Sequence, residues 1–195
     1  MRLIRHLAYL VAPRSSRAAP AICACTLLAA VPAPANDAAH VHGIVRLAVA
    51  VDAQTLAIDI EAPLDSLLGF EHRPRTAAQR QAADAVLKQM NDAASLFRPD
   101  PAAQCTPSKT TIDAEVLQAA APAAASKDKD KNDEHAELAA RVEYACKEPG
   151  KLATIEVGLF DAFKRIRRIE AQTASAQGQS KQTLSRNSKV LKLRR

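Results

Sequence analysis

Two neighbouring segments of the chain have the apolar pattern of β-strands. Residues 44–51 are apolar and largely β-branched, and residues 55–61 alternate apolar with more polar side chains. Residues 52–54 separate the two segments as a short turn, and Pro63 follows the second one, where a proline is typical of a strand end. The pattern predicts a β-hairpin whose second strand is half exposed.

A helical period begins after this hairpin. Thr76 stands three positions before Gln79, the spacing of a capping box, and Pro99 ends the segment. We therefore predict one principal helix of roughly 20 residues with an Ala-rich buried face. The apolar positions of that face are Ala82, Ala85, Val86, Met90, Ala93, Ala94 and Phe97.

The second half of the chain predicts several short strands. Turn signals at residues 148–150 and 177–179 separate them, and few helical segments intervene. Short turns between strands favour an antiparallel sheet. The predicted fold class is α+β, a single domain with a mainly antiparallel sheet and one principal helix. The candidate strands are residues 110–118, 138–146, 151–157, 165–173, 181–185 and 189–193.

The first 35 residues are predicted to be a signal peptide. Four arginines precede an apolar stretch at residues 18–31, and Ala33-Pro34-Ala35 forms an A-x-A cleavage site. The apolar stretch is too short for a membrane span, and no later segment is long enough. We expect export to the periplasm and one mature domain at residues 36–195. Lipid attachment at Cys25 is the alternative, and it would tether the protein to a membrane.

Charge changes the picture once the signal peptide is set aside. Residues 1–35 hold four of the 27 basic residues and none of the 21 acidic ones, so the net charge falls from +6 to about +2. This value and only six aromatic residues argue against a nucleic-acid partner. Residues 164–195 nevertheless carry ten basic residues and one acidic residue. Such a segment fits either a lysine-protected sheet edge or a contact with an anionic surface.

Two cysteines, Cys105 and Cys146, remain in the predicted mature chain. An even pair in an exported domain predicts a disulfide. The closed loop of about 42 residues gives a stabilisation of roughly 4 kcal/mol in the chain-entropy model. The alternative is a pair of zinc thiolates. Between the cysteines, residues 119–134 form a low-complexity run that predicts a mobile loop.

The histidines are the candidate metal ligands. His40 and His42 stand two apart before the first strand, and in an extended backbone such residues point to the same side. Neutral imidazole is a preferred zinc donor, so the pair could bind one ion; two solvated histidines are the alternative. His72 and Glu71 lie in a turn that could present both to a site or simply pack locally. His135 is a further candidate at the end of the low-complexity run.

Sequence signatures of catalysis are largely missing. The chain has no Gly-rich phosphate loop, no nucleophile elbow and no H-E-x-x-H motif. The carboxylate pairs Asp59 with Glu61 and Asp65 with Glu71 are of a kind common on solvated surfaces. We therefore expect a protein that is not an enzyme.

One stretch of the sequence resembles a known family. Residues 62–74, A-P-L-D-S-L-L-G-F-E-H-R-P, preceded by H-V-H-G at residues 40–43, are similar to the ZrgA family of periplasmic proteins linked to zinc uptake. The resemblance implies a zinc-binding periplasmic protein that assists high-affinity uptake, with zinc held by histidines. It also implies a zinc ABC importer or its solute-binding protein as partner. The resemblance extends through Phe97-Arg98-Pro99, Ala103-Gln104-Cys105, Tyr144-Ala145-Cys146 and Leu159-Phe160.

The ligands that the resemblance implies are His40, His42 and His72, with Glu71 as a further candidate. The family pattern leads one to expect a His- and Asp-rich loop between the cysteines, whereas here His135 is the only imidazole of that stretch. One ordered zinc site is therefore predicted, with an affinity that falls as imidazoles protonate near about pH 6. The alternative function is a non-metal envelope protein that docks a partner or a membrane surface through its basic C-terminal segment.

Overall fold

The computed structural model describes residues 41–117 and 136–193. In these residues it confirms the α+β fold, with a six-stranded sheet in the order β4-β5-β2-β1-β7-β8 and a three-stranded sheet in the order β3-β6-β9. All neighbouring strands are antiparallel except β1 and β7, which are parallel. The strands are β1 Ile44–Asp52, β2 Thr55–Pro63, β3 Phe97–Pro99, β4 Cys105–Asp113, β5 Glu137–Cys146, β6 Thr154–Val157, β7 Arg168–Ser175, β8 Gly178–Leu184 and β9 Val190–Lys192; the helices are α1 Leu64–Leu68, α2 Ala77–Met90, α3 Ala93–Leu96 and α4 Leu159–Ala162. Short 3₁₀ turns occupy Pro101–Ala103 and Pro149–Lys151.

The predicted hairpin forms as β1 and β2. Its strands pair in a register that joins Arg46 with Glu61 at one end and Asp52 with Thr55 at the turn. Alternate residues of β1 are buried, as the period of two predicts, whereas β2 buries Ala57 as well as Leu56 and Ile58 and ends at Pro63. The open end of this hairpin therefore brings the residues before β1 close to the residues after β2.

The helical segment is shorter than predicted. The Thr76–Gln79 capping box is present, but α2 ends at Met90, and a new short helix starts after Asp92. The Asp92 side chain accepts the Ser95 N–H as the N-cap of that helix, which explains the break. The prediction of a single helix of roughly 20 residues is therefore wrong. The buried residues of α2 are Ala83, Val86 and Met90, whereas Ala82 and Ala85 are exposed.

The later strands follow the predicted segments, with shifted ends. The largest shift is in β4, which begins at Cys105 rather than at residue 110. Its bulge between Pro107 and Lys109 lies on an edge strand, where irregularity and charge discourage pairing with another chain. The predicted signal peptide and the predicted loop at residues 119–134 lie outside the described residues.

The larger sheet and the helices α1, α2, α3 and α4 contribute side chains to one hydrophobic core. Tyr144 of β5 is buried in it, and its hydroxyl lies 2.7 Å from the Ala93 carbonyl oxygen and 2.9 Å from that of Phe97. This contact ties the break after α2 to the sheet. The core thereby fixes the hairpin, whose open end carries the candidate site.

Candidate metal site

His42 lies in a turn that leads into β1. The turn closes through the Ile44 N–H and the Val41 carbonyl oxygen, which are 3.0 Å apart, and Gly43 adopts a left-handed φ of +81° within it. The side chain of His42 is 55% exposed, so an ion from solvent could reach it. The predicted donor thus stands at the surface, at the open end of the hairpin.

Two carboxylates flank the His42 ring, one at each nitrogen. Nε2 lies 3.1 Å from Oε1 of Glu71, and Nδ1 lies 3.8 Å from Oδ2 of Asp65. Both carboxylate side chains are 18% exposed, so they are better shielded from solvent than the imidazole itself. The structure therefore brings together His42 and Glu71, two of the predicted ligands, and adds Asp65.

The open end of the hairpin brings Asp65 beside His42. The strand pairing ends at Arg46 with Glu61; His42 lies in the turn that precedes β1, and Asp65 lies on α1, which follows β2 directly. The Gly43 N–H donates to Oγ of Ser66 at 2.8 Å, and Ser66 is fully buried on α1. The sequence prediction included Asp65 only as part of a carboxylate pair, because its place beside His42 depends on α1 following β2 without an intervening loop.

A third segment, between α4 and β7, holds this arrangement in place. Arg165 donates through Nε to the Asp65 carbonyl oxygen at 2.8 Å and through a terminal nitrogen to Oδ1 of the same residue at 2.9 Å. Arg167 donates through its guanidinium to the His42 carbonyl oxygen. The backbone N–H groups of Arg167 and Arg168 both donate to the Gly43 carbonyl oxygen, at 2.8 and 3.0 Å. No sequence motif marks these arginines, because only the parallel pairing of β1 with β7 brings them here.

The loop after α1 carries Glu71 and His72. Gly69 ends the helix in a left-handed conformation, with φ +85°, and its N–H donates to the Asp65 carbonyl oxygen. The His72 ring stacks on Phe70 with centroids 5.1 Å apart, and its Nδ1 lies 2.9 Å from the Arg73 carbonyl oxygen. A carbonyl only accepts, so Nδ1 carries the proton and Nε2 of the neutral ring keeps a lone pair.

The spacing of His42 and Glu71 suits a shared ion. Two ligands about 2.0–2.1 Å from a tetrahedral zinc ion lie roughly 3.3 Å apart, close to the observed 3.1 Å between Nε2 and Oε1. Within residues 41–117 and 136–193, no group of three or more His, Cys, Asp or Glu side chains has an arrangement that could hold a metal ion. His40 and His135 lie outside the described residues, and the described contacts of His72 are with Phe70 and Arg73.

The cysteine prediction is resolved by the structure. Cys105 and Cys146 are register partners on β4 and β5, and their sulfur atoms are joined in a disulfide. This confirms the predicted cross-link and excludes the alternative of two zinc thiolates, since a disulfide has no thiolate to donate. The disulfide also supports the expectation of an oxidising compartment.

None of the helices in the described part of the chain has the length and apolar character needed to cross a membrane.

Comparison with known proteins gives one informative result. A search of curated proteins found no match to this chain. A family model described as ZrgA family zinc uptake protein matches residues 39–193, which include the hairpin, the Glu71 loop and both cysteines. The chain therefore belongs to the ZrgA family of zinc uptake proteins.

Proposed function

We propose that this protein is a periplasmic zinc-binding protein that assists high-affinity zinc uptake, with the ion held by histidines. The observation that carries the proposal is the 3.1 Å spacing of His42 Nε2 and Glu71 Oε1, a ligand-like pair in a chain of a zinc uptake family. The partner class is a zinc ABC importer or its solute-binding protein, to which the bound ion would be handed. The proposed role is binding and transfer rather than catalysis.

The complete ligand set is proposed from His40, His42, His72, Glu71 and His135. His40 is joined to His42 through Val41 in the turn before β1. Ala136, the residue after His135, accepts a hydrogen bond from the Leu64 N–H at 2.9 Å. The inclusion of both histidines rests on the sequence. His72 has its Nδ1–H turned to a backbone carbonyl, as metal-binding histidines commonly do, which leaves Nε2 for an ion.

Zinc binding is tested by competition between the protein and a chromophoric chelator. We expect the wild-type protein to bind zinc, and His42→Ala and Glu71→Gln to weaken that binding by at least about tenfold, as loss of a metal-site group does. Glu143→Gln is the matched control, because Glu143 accepts from Arg141 at 3.0 Å on β5 and is no candidate ligand. Zinc affinity that His42→Ala leaves at the wild-type value would contradict the site, and absence of zinc binding would contradict the function.

The remaining ligands follow from single His→Ala variants at positions 40, 72 and 135, measured in the same assay. A ligand is identified by a loss of zinc affinity comparable to that of His42→Ala. A position whose variant binds zinc like the wild type is removed from the set. One saturating ion per chain is expected, because the stretch between the cysteines offers a single imidazole.

Export is tested separately. The full chain is expressed in a bacterial host, the periplasmic fraction is collected, and the recovered protein is sequenced from its N-terminus. We expect the mature chain to begin at Asn36. A chain without residues 1–35 is the control and should stay in the cytoplasm. Retention of the full-length chain in the cytoplasm would overturn the proposed localisation.

A further inference from the structure

Asp65 divides its two carboxylate oxygens between two neighbours. Oδ1 accepts from Arg165 at 2.9 Å, whereas Oδ2 faces Nδ1 of His42 at 3.8 Å. The opposite nitrogen of the same ring, Nε2, faces Glu71. The His42 ring therefore has a carboxylate with a fixed internal partner on one side and a proposed ligand on the other.

The geometry points to Asp65 as a positioning residue for His42, with Arg165 as its anchor. This inference rests on the proposed zinc site. When His42 binds an ion through Nε2, its other ring nitrogen must carry a proton, and Oδ2 of Asp65, 3.8 Å from that nitrogen, would accept the proton after the ring or the carboxylate moves by about 1 Å. The accepted proton would fix the ring orientation and raise the basicity of Nε2. Asp65 thus acts through His42 and does not itself touch the ion.

Arg165 makes this role possible by fixing which oxygen is available. Its Nε holds the Asp65 backbone and its terminal nitrogen holds Oδ1, so the carboxylate is gripped at two points. The guanidinium also lies against Gly69, where a Cβ would come within 3.1 Å of the Arg165 Cζ atom. With Oδ1 occupied and the guanidinium confined, Oδ2 is the oxygen left for His42.

The arrangement predicts an unusual effect of an amide at position 65. In Asp65→Asn, the single carbonyl oxygen is expected to bind Arg165, because a guanidinium only donates. The amide NH₂ would then face Nδ1–H of the zinc-bound His42, and two donors would oppose each other. Removing the arginine frees the carbonyl to turn to His42. Asp65→Asn should therefore be harmful with Arg165 present and partly rescued by Arg165→Ala.

The test measures zinc affinity for Asp65→Ala, Asp65→Asn, Arg165→Ala and the Asp65→Asn/Arg165→Ala double variant. We expect a 10- to 100-fold loss, roughly, for each Asp65 single variant, the range found for residues that orient a ligand. The double variant should bind zinc more tightly than Asp65→Asn alone. Asp59→Asn is the matched control, because Asp59 also pairs with an arginine, Arg141, at 2.9 Å and has no histidine partner among its described contacts.

A second readout separates positioning from direct binding. The imidazole ¹⁵N and ¹H signals of His42 are recorded in the zinc-loaded wild-type protein. Zinc on Nε2 with a protected Nδ1–H supports positioning, and that proton should exchange faster in Asp65→Ala. Zinc on Nδ1 would make Asp65 a ligand and overturn the inference.

The outcomes also separate this inference from the proposed function. Wild-type protein without zinc binding, or His42→Ala with unchanged affinity, refutes the zinc site and the inference with it. Zinc binding that depends on His42 but is unaffected by Asp65→Asn refutes the positioning role alone. So does a double variant that binds no better than Asp65→Asn.

Discussion

Gly43 is the position where the fold and the candidate site depend most directly on one residue. Its φ of +81° is one that residues with a Cβ rarely adopt. An added Cβ would also clash with Nε of Arg167 and lie 3.1 Å from the Cγ atom of the same side chain. The same arginine donates to the His42 carbonyl oxygen. A methyl group at this position must therefore strain the turn before β1 and displace Arg167 from His42.

The cost of Gly43→Ala is estimated from two parts. The left-handed conformation costs a residue with a Cβ about 1–2 kcal/mol. Displacement of Arg167 removes an exposed hydrogen bond worth about 0.5–1.5 kcal/mol. We expect a total loss of roughly 2–3 kcal/mol in the free energy of unfolding, or a fall of roughly 5–10 °C in Tm for a domain of this size.

The measurement is urea unfolding followed by circular dichroism, carried out in a double-mutant cycle with Arg167→Ala. Once Arg167 is absent, Gly43→Ala should cost only the conformational part, so its effect should shrink by about 1 kcal/mol. An equal cost in both backgrounds would refute the proposed clash. Gly178→Ala is a control for strain alone, because φ is +118° there and nothing lies within 4 Å of an added Cβ. Gly150→Ala has neither feature and should be nearly neutral.

Three further predictions concern stability. Replacing Cys105 and Cys146 by Ser should lower the free energy of unfolding by about 4 kcal/mol in denaturant titrations, because the 41-residue separation is no longer closed in the unfolded chain; an unchanged midpoint would contradict this. Tyr144→Phe should cost about 1–3 kcal/mol, because the buried carbonyl oxygens of Ala93 and Phe97 lose the hydroxyl as a donor, and the loss should show as a lower Tm. The Arg98 guanidinium, which donates to Glu156 at 2.6 Å, lowers the pKa of that carboxyl below its ordinary 4.5. The pair therefore contributes stability above about pH 4.5, and this stability is lost as the pH falls further. Glu156→Gln should flatten the pH dependence of Tm in this acid range. A pH profile of Tm identical to that of the wild type would refute the contribution.

Much of the fold could be predicted because its elements have local signatures. The alternation in β1 and β2, the capping box at Thr76 and the proline after the hairpin each report on neighbouring residues only. The break after Met90 was missed, since Asp92 acts as an N-cap inside a run whose apolar spacing continues unbroken. The smaller sheet was also missed as a separate unit, because three-residue strands such as β3 are too short to show a period.

The candidate site shows the same division between local and distant information. The proximity of the residues around His42 and Asp65 was within reach of the sequence, because a hairpin brings the residues before its first strand close to those after its second strand. Arg165 and Arg167 were not, since they arrive through the parallel pairing of β1 with β7, which joins segments about 120 residues apart. A site built from three separate segments is formed only by the folded domain, which is why zinc binding and stability are expected to respond together to Gly43→Ala.

The contacts of the basic C-terminal segment bear on the alternative function. A cation can attract a membrane or an acidic partner only if the fold does not already use it, because withdrawal from an internal acceptor offsets the gain of a new contact. Arg186 donates to the carbonyl oxygens of Phe160, Lys164 and Ile166, which fastens the residues after α4 to the end of β8. In the part of the chain that the structure describes, the docking hypothesis is left with the lysines of this segment, such as Lys181 on β8 and Lys192 on β9, which line one surface pocket. The basic residues of this segment with internal partners are Arg165 on Asp65, Arg167 on His42, Arg168 on Glu170, Arg186 on the three carbonyls and Lys189 on Asp161. Within the described residues, five basic side chains of the segment are thus engaged inside the domain, and two of these arginines contact the candidate zinc site.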